Sequence, residues 1–215
     1  MTSMLRYGIY GGAFDPIHLG HLLLAETCFR QAKLDRIIFV PTGKSPHRYA
    51  KNSFCASADD RFNMLEAAVI GYDEFLISRY EIEQDETSYT IDTLRHFHQT
   101  FALTEPRFFL LMGADMFNDL PNWKEPTEIC KLATPLVVER AGSPPPYYPG
   151  LSGFASPDKI DEMRQLAVAM PQIGISSTSI RQRLARAESV RFMVPRGVEA
   201  YIAAHGLYKT QTSGK

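Results

Sequence analysis

Near-continuous apolar runs recur along the chain, and segments with a helical pattern separate them. The runs cover residues 4–10, 35–41, 75–78, 107–113, 135–139 and 172–175, and the run 107–113 is the most apolar. Such runs are typical of parallel strands that are covered on both faces, and strands that alternate with helices favour the same arrangement. The sequence therefore predicts an α/β fold built on a doubly wound parallel sheet.

The segments between the runs predict the helices and the domain limits. After His18, the apolar residues Leu22, Ala25, Phe29 and Ala32 recur at spacings of three and four, which places them on one helix face. Further helices are predicted over 57–69, 91–100, 115–120, 127–132, 158–170, 179–185 and 198–205, and a proline-rich surface loop over 143–153. We expect one domain over 1–208, with a small helical part from about 176, and a disordered tail over 209–215.

Charge and cysteine usage narrow the classes of partner. The formal net charge is −1, so the chain has no overall basic character for a nucleic acid or an anionic membrane. The three cysteines show no CxxC spacing, which is typical of a reduced protein without a disulfide framework or zinc site. No signal-peptide pattern is present, and no apolar run approaches the roughly 18 residues of a membrane span. We expect a cytoplasmic protein, and the sequence leaves open a homo-oligomer.

The segment 11–21, GGAFDPIHLGH, follows the first predicted strand. Ligands of parallel sheets bind outside the carboxyl ends of the strands, and this rule brings 11–21, 42–48 and 113–115 to one edge. A Gly-Gly pair allows a tight turn and close approach of a ligand. His18 and His21 share a face at a helix start, where N–H groups and the helix dipole attract anions. The pattern predicts a polyphosphate site, although each histidine alone could be structural, and a metal pair would lack a third ligand.

A second phosphate-binding pattern lies near the other end of the chain, in ISSTSIR at 175–181. The hydroxyl residues Ser176, Ser177 and Thr178 can cap a helix and still present amides to an anion. Arg181 falls one turn later, where its guanidinium can form a bidentate contact with phosphate oxygens. A serine-rich helix start alone is usually only a cap. Together with the two histidines it predicts a second wall of the same phosphate site.

These two motifs resemble the nucleotidyltransferases of the HxGH type, which are Rossmann-like enzymes. The segments PTGKSPHR, DDRFNML, SYTIDTL, GADMFNDLPNW and VPRGVEAYIAAHGLY narrow the resemblance to the bacterial nicotinate-nucleotide adenylyltransferase family, over residues 7–208. The resemblance implies transfer of AMP from ATP to nicotinic acid mononucleotide, which gives deamido-NAD and pyrophosphate in NAD biosynthesis. It also implies Mg²⁺ bound with ATP.

The resemblance also assigns site residues, with His18, His21 and Arg181 as the catalytic set. The ATP contacts that it implies are Gly11, Gly12, Ala13, Phe14, His18, His21, Gly113, Asp115, Ser176, Ser177, Thr178 and Arg181. The mononucleotide contacts that it implies are Asp15, Lys44, His47, Arg48, Tyr89, Thr90 and Trp123. Among these, the amides of Tyr89 and Thr90 would bind the nicotinate carboxylate, and Trp123 would stack on the pyridine ring.

The sequence departs from the family pattern at Ala13, where a hydroxyl residue is usual, and at Ser45, where a proline is frequent. Two other functions stay open. A sister transferase, such as phosphopantetheine adenylyltransferase or a cytidylyltransferase, shares both motifs, but the 88–93 segment and Trp123 argue against it. A non-catalytic nucleotide sensor could keep the fold, but we would expect it to lose one of the two motifs.

Overall fold

The computed structural model of the chain describes residues 4–44, 54–140, 144–171 and 173–209. Its six strands form one sheet in the order β3-β2-β1-β4-β5-β6, and each strand pair is parallel. The strands are β1 (Arg6–Gly12), β2 (Arg36–Pro41), β3 (Phe75–Ile77), β4 (Arg107–Gly113), β5 (Ala133–Arg140) and β6 (Val168–Met170). This confirms the predicted α/β, Rossmann-like, doubly wound sheet.

The described part of the chain has eight α-helices, of which the last two follow the last strand. In chain order these eight are α1 (Leu19–Gln31), α2 (Ala58–Val69), α3 (Thr90–Thr100), α4 (Ala114–Asp119), α5 (Pro126–Leu132), α6 (Pro157–Gln165), α7 (Ser177–Ala185) and α8 (Arg196–His205). The predicted cap of α2 is confirmed, because the Ser57 hydroxyl accepts a hydrogen bond from the Asp60 amide at 3.0 Å. None of the helices among the described residues has the length and apolar character needed to cross a bilayer.

The last strand was predicted in the wrong place. The sequence predicts helix over 158–170 and strand over 172–175, but α6 ends at Gln165 and β6 is Val168–Met170. Buried Val168 and Met170 flank exposed Ala169, which is a strand alternation, yet three residues are too few to distinguish it from a continuing helical stripe. Pairing with β5 decides the conformation, since β6 lies beside Val138, Glu139 and Arg140.

The predicted surface loop over 143–153 is partly wrong as well. Within it, Tyr148–Leu151 form a short 3-10 helix, and both Tyr148 and Leu151 are buried against the core. The prolines at 144–146 and 149 explain why the segment lacks a regular helix or strand. Prolines do not, however, require the apolar side chains of the segment to be exposed to solvent. The predicted tail over 209–215 lies, except for Lys209, outside the described residues.

The core has two layers, one on each face of the sheet. Along β4, Phe109 and Leu111 point to one face, whereas Phe108, Leu110 and Met112 point to the other. Helices α1, α2, α7 and α8 cover the first face, and α3, α4, α5 and α6 cover the second. Burial on both faces is the reason why the strands carry continuous apolar runs rather than alternating ones.

The strand order creates a crevice at the carboxyl edge of the sheet. From β1 the chain moves outward to β2 and β3, and it then returns to β4 on the other side of β1. The connections that follow β1 and β4 therefore diverge to opposite faces and leave a space between them. The loop after Gly12 and the start of α4 after Gly113 border this crevice.

Candidate active site

The histidine pair lies at the start of α1, directly after the loop that leaves β1. His18 is the N-cap residue of α1, and its ring stacks on the His21 ring with 3.7 Å between the centroids and 21° between the planes. A Cβ at Gly20 would lie 3.0 Å from the His18 ring, so a glycine leaves room for the stack. The structure thus brings together the two histidines that the motif places three residues apart.

A loop with strained backbone packs against this histidine pair. Phe14 is fully buried with a φ of 48°, a conformation that a bulky side chain adopts only under constraint. Its ring meets the His21 ring edge to face at 5.2 Å and also packs on Tyr10 and Phe39. A Cβ at Gly12 would lie 2.9 Å from the Phe14 ring. Gly12 therefore makes room for a phenylalanine whose ring packs against His21.

The second motif forms the start of α7. Ser176 is the N-cap, and it exchanges hydrogen bonds with Ser179 in a capping box. The Ser177 hydroxyl donates to the Pro16 carbonyl at 2.9 Å, and Arg181 Nη1 donates to the Asp15 carbonyl at 2.6 Å. The hydroxyl of Ser177 is thus committed to the loop after β1. The Ser179 amide donates to the Ser176 hydroxyl, and Arg181 Nη2 donates to the Thr178 hydroxyl at 3.3 Å. The Ser177 and Thr178 amides and the remaining N–H groups of Arg181 are the donors suited to an anion.

The two motifs line one cleft of about 220 Å³. His18, His21 and Gly20 form one wall, and Ser176 and Ser177 form the other. The cleft is completed by apolar residues that the sequence analysis did not identify, namely Met170, Ile173 and Ile175. Thr178 is exposed beside the cleft, and Arg181 faces the Asp15 carbonyl instead of lining it. The structure therefore juxtaposes the histidines and the start of α7, and their predicted contacts with ATP stay a prediction.

Asp15, predicted to contact the substrate, is 4 % exposed and engaged with protein donors through both carboxylate oxygens. Oδ1 accepts the Ala56 amide at 3.1 Å and the Tyr208 hydroxyl at 2.7 Å. Oδ2 accepts the Cys55 amide at 2.8 Å and lies 4.0 Å from Arg181 Nη1. These contacts describe a side chain that ties distant segments together, and a substrate contact of Asp15 stays a prediction.

Several of the residues predicted to contact the mononucleotide lie at or beside the start of α3. Tyr89 is the N-cap of α3 and Thr90 its first residue. Lys124, the neighbour of Trp123, places its ammonium 4.4 Å from the centre of the Tyr89 ring. Trp123 is half-buried, and its indole donates to Asp119 at 3.3 Å.

The loop after β2 also lies beside the segment that leads into α3. The backbone of Lys44 pairs with the strand-like stretch before α3, because the Ser88 amide donates to the Lys44 carbonyl at 2.8 Å. The Lys44 ammonium donates to the Asp85 carbonyl. His47 and Arg48 lie outside the described residues, so their predicted contacts have no structural account.

A buried carboxylate joins these segments. Glu81 is 9 % exposed and accepts the Thr93 hydroxyl at 2.7 Å and the Gly43 amide. Burial raises the pKa of Glu81. The hydrogen bonds from Thr93 and Gly43 and the charge of Arg61 act in the opposite direction but do not reverse this shift. Arg61, 1 % exposed, donates to the Ala13 carbonyl at 2.9 Å. Neither residue was predicted from the sequence to belong to the site. The available signal was Arg61 itself, a charged residue on the α2 face that buries Met64, Leu65 and Ala68.

The remaining predicted residues border the crevice after β1 and β4. Gly11 and Gly12 end β1, Ala13 is exposed, and Gly113 is the N-cap of α4. A Cβ at Gly113 would lie 2.6 Å from an Asp115 carboxylate oxygen, so the Asp115 side chain folds back over the glycine. Among the residues that the structure describes, no group of three or more His, Cys, Asp and Glu side chains could hold a metal ion.

Comparison with known proteins defines first the class and then the family. A family model described as cytidylyltransferase-like matches residues 9–183, which include both motifs of the cleft. Solved structures share the fold. A Plasmodium falciparum nicotinic acid mononucleotide adenylyltransferase complexed with NaAD has a TM-score of 0.68 at 18% identity, over 95% of this chain and 97% of that one. A putative nicotinate-nucleotide adenylyltransferase from Vibrio parahaemolyticus has a TM-score of 0.63 at 19% identity, over 99% of this chain and 100% of that one.

Relatives with higher identity carry the family name. A probable nicotinate-nucleotide adenylyltransferase of Thermus thermophilus is 39% identical over 95% of this chain and 100% of its own length. One of Geobacillus thermodenitrificans is 38% identical over 98% of this chain and 89% of its own length. Within the cytidylyltransferase-like class, the chain belongs to the nicotinate-nucleotide adenylyltransferase family.

Proposed function

We propose that this protein is a nicotinate-nucleotide adenylyltransferase. It transfers AMP from ATP to nicotinic acid mononucleotide and yields deamido-NAD and pyrophosphate, a step of NAD biosynthesis that we place in the cytoplasm. The observation that carries the proposal is the single cleft lined by the stacked His18 and His21 on one side and by the start of α7 on the other. The names of the relatives in this family, and of the structure complexed with NaAD, support the choice of substrates.

The reaction needs no nucleophile from the protein. A phosphate oxygen of the mononucleotide attacks the α-phosphorus of ATP, and the bond to the bridging oxygen breaks so that pyrophosphate leaves with the electron pair. The protein must bring two anions together and stabilise the negative charge that develops on the phosphate oxygens. Imidazole and guanidinium donors and the amides of a helix start suit this task. In this proposal His18, His21 and Arg181 supply the donors.

Magnesium would reach the site with ATP. The donors along the cleft are imidazoles, hydroxyls and amides, which suit phosphate oxygens, whereas Mg²⁺ prefers carboxylates, phosphates and water. This donor set fits a metal that is held by the triphosphate rather than by the protein. When bound, Mg²⁺ neutralises phosphate charge.

The mononucleotide would bind beside the start of α3. The Tyr89 and Thr90 amides lie at a helix N-terminus, which favours the nicotinate carboxylate over a neutral carboxamide. Trp123 provides an aromatic face one residue from Lys124, which packs on Tyr89. Lys44 lies in the segment that pairs with the stretch before α3. Contacts of His47 and Arg48 with the mononucleotide are proposed from the resemblance alone. This arrangement supports a preference for the acid form of the mononucleotide.

Product identification tests the proposal directly. The protein is incubated with Mg-ATP and either nicotinic acid mononucleotide or nicotinamide mononucleotide, and the dinucleotide is identified by mass. We expect deamido-NAD and pyrophosphate, with a higher kcat/KM for the nicotinate substrate. In parallel incubations, adenylylation of phosphopantetheine by ATP, or cytidylyl transfer from CTP, without any formation of deamido-NAD would favour a sister transferase. Nucleotide binding without pyrophosphate release would favour a sensor.

A further inference from the structure

The C-terminal turn reaches back to the loop that carries the histidines. After α8 ends, Gly206 has a φ of 62°, and Tyr208 follows with the same φ. This reversal directs the Tyr208 hydroxyl onto Asp15, and the two residues share a hydrogen bond of 2.7 Å across 193 positions of sequence. Nothing in the reaction described above uses Tyr208.

The Tyr208 hydroxyl is a well-defined donor at this position. Burial and the charge of Asp15 raise the pKa of Tyr208, so the phenol keeps its proton. Asp15 is buried and already accepts the Cys55 and Ala56 amides. A carboxylate withdrawn from water needs hydrogen-bond donors, and Tyr208 supplies the one side-chain hydroxyl among its described contacts.

Asp15 in turn connects to both walls of the cleft. Its carbonyl accepts Arg181 Nη1, and the next carbonyl, that of Pro16, accepts the Ser177 hydroxyl. His18, the N-cap residue of α1, lies two residues after Pro16. A displacement of Asp15 would therefore move the histidine loop and the start of α7 relative to each other.

Helix α8 gives the turn a fixed base. Val198 and Ile202 are buried, and the Tyr201 hydroxyl donates to Asp60 on α2 at 3.0 Å. A Cβ at Gly197 would lie 2.8 Å from the Ala67 carbonyl, so α8 and α2 approach closely. The turn that carries Tyr208 therefore starts from a helix that is anchored independently of Asp15.

We propose that Tyr208 is a positioning residue for nucleotidyl transfer: by holding Asp15, it keeps the histidine loop and the start of α7 in register around the ATP phosphates. The proposal rests on the proposed function. It adds a residue that does not touch ATP, lies outside both phosphate motifs, and acts through Asp15. The mononucleotide contacts predicted at the start of α3, Tyr89 and Thr90, lie outside this set of contacts. Asp15, which the resemblance also implies as a mononucleotide contact, acts here as a tie between segments, because both of its carboxylate oxygens accept protein donors.

The test compares two tyrosine-to-phenylalanine variants of the full chain. Tyr208→Phe removes the hydroxyl that donates to Asp15. Tyr201→Phe removes a hydroxyl on the adjoining helix α8, whose described hydrogen-bond partners, Asp60 and Asn63, both lie on α2. We expect Tyr208→Phe to lower kcat/KM for ATP about tenfold, the scale of one hydrogen bond to a charged group. The KM for nicotinic acid mononucleotide should stay unchanged. Tyr201→Phe should lower the Tm and leave both kinetic constants as in the parent.

A general structural role would give a different pattern. Equal losses in the two variants, or a rise of the mononucleotide KM along with the ATP KM in Tyr208→Phe, would overturn the proposal. Affinity for a non-hydrolysable ATP analogue, measured by calorimetry, gives a second readout that does not require the reaction. If the parent chain forms no dinucleotide, the proposed function fails. If it does form one but Tyr208→Phe binds and turns over ATP as the parent does, only the positioning role fails.

Discussion

The stacked imidazoles restrict each other's orientation. His18 is held at the N-cap of α1, His21 lies over it at 3.7 Å, and the edge of His21 meets the buried Phe14 ring. A donor that is fixed before the substrate arrives needs no reorganisation when charge develops on the phosphates. This is the physical reason to expect a large kinetic effect from a single histidine.

Replacement of His21 by alanine should lower kcat about 10²-fold or more, which is the effect of removing one donor to a developing negative charge. The kcat of the variant is measured from the steady-state rate of deamido-NAD formation. His205→Ala is the matched control, because this exposed histidine lies on α8 away from the cleft and should leave kcat unchanged. A His21→Ala enzyme with the parent kcat would show that the imidazole is structural.

Residue-level features divide into those with a local signal and those without one. The spacing of His18 and His21 and the cap at Ser176 depend on neighbours within one helical turn, and the sequence predicted where they would lie. The partners of Asp15 lie 40 to 193 positions away, and local spacing cannot report such contacts. The apolar wall of the cleft was missed for a related reason, since Ile173 and Ile175 resemble an ordinary strand pattern.

At the scale of elements, the loop after β2 and the start of α3 depend on each other through Glu81. The carboxylate accepts the Gly43 amide from one and the Thr93 hydroxyl from the other. A Cβ at Gly43 would collide with the Glu81 carbonyl, so the backbones approach as closely as a glycine permits. The predicted mononucleotide contacts Lys44, Tyr89 and Thr90 flank this junction.

Glu81→Gln should raise the KM for nicotinic acid mononucleotide about fivefold or more and leave the KM for ATP unchanged. The amide group turns an N–H₂ toward one of the two donors, and a broken buried contact of this kind is worth roughly 1–3 kcal/mol. Glu83→Gln is the control, because Glu83 is exposed and its carboxylate pairs, among the described residues, with Arg79 at 2.9 Å. Equal effects on both substrates would indicate a general loss of folding rather than a local one.

Element boundaries followed the sequence where the periodic signal was long. Helices α2 and α3 and strands β2 and β4 lie within one or two residues of their predicted limits. Strand β6 was wrong because three residues carry too little pattern and because its conformation depends on pairing with β5. The buried 3-10 helix at Tyr148–Leu151 was missed because proline content indicates irregular backbone, not exposure.

At the scale of the whole molecule, the edge of the sheet opposite the cleft carries an ion-pair network. Glu162 on α6 pairs with Arg107 of β4 and lies 3.6 Å from the Lys159 ammonium. Burial alone would raise the pKa of Glu162, but the hydrogen bond and charge of Arg107, together with Lys159, lower it. The network joins β4, β5 and α6, since Arg107 and Lys159 both donate to Thr134.

The stability of the fold should therefore depend on acid through Glu162. A carboxyl whose folded pKa lies below its unfolded value stabilises the protein above the unfolded value, near 4.5, and loses that contribution as the pH falls through the folded value. Urea unfolding of Glu162→Gln should show a deficit against the parent at pH 7 that shrinks at pH below about 4. Asp161→Asn, which breaks an exposed pair with Arg164, should show little difference at either pH. A Glu162→Gln deficit that does not change with pH would contradict the assignment.

The sequence predicted the class of fold but not the order of the strands in the sheet. Continuous apolar runs and strand–helix alternation gave the parallel sheet with two covered faces. The strand order depends on how the chain crosses from β3 back to β4, and no local pattern records it. The position of the cleft followed from the general rule for carboxyl edges, whereas the contact of the C-terminal Tyr208 with Asp15 required the three-dimensional structure.

The contact between Ser177 and Pro16 spans 161 positions of the chain. During synthesis at about 5–20 residues per second, roughly 10 to 30 s separate the emergence of the two partners from the ribosome. The histidine segment is therefore synthesised before its partner at the start of α7 exists. A product that lacks α7 and α8 would contain all six strands but only the histidine side of the cleft.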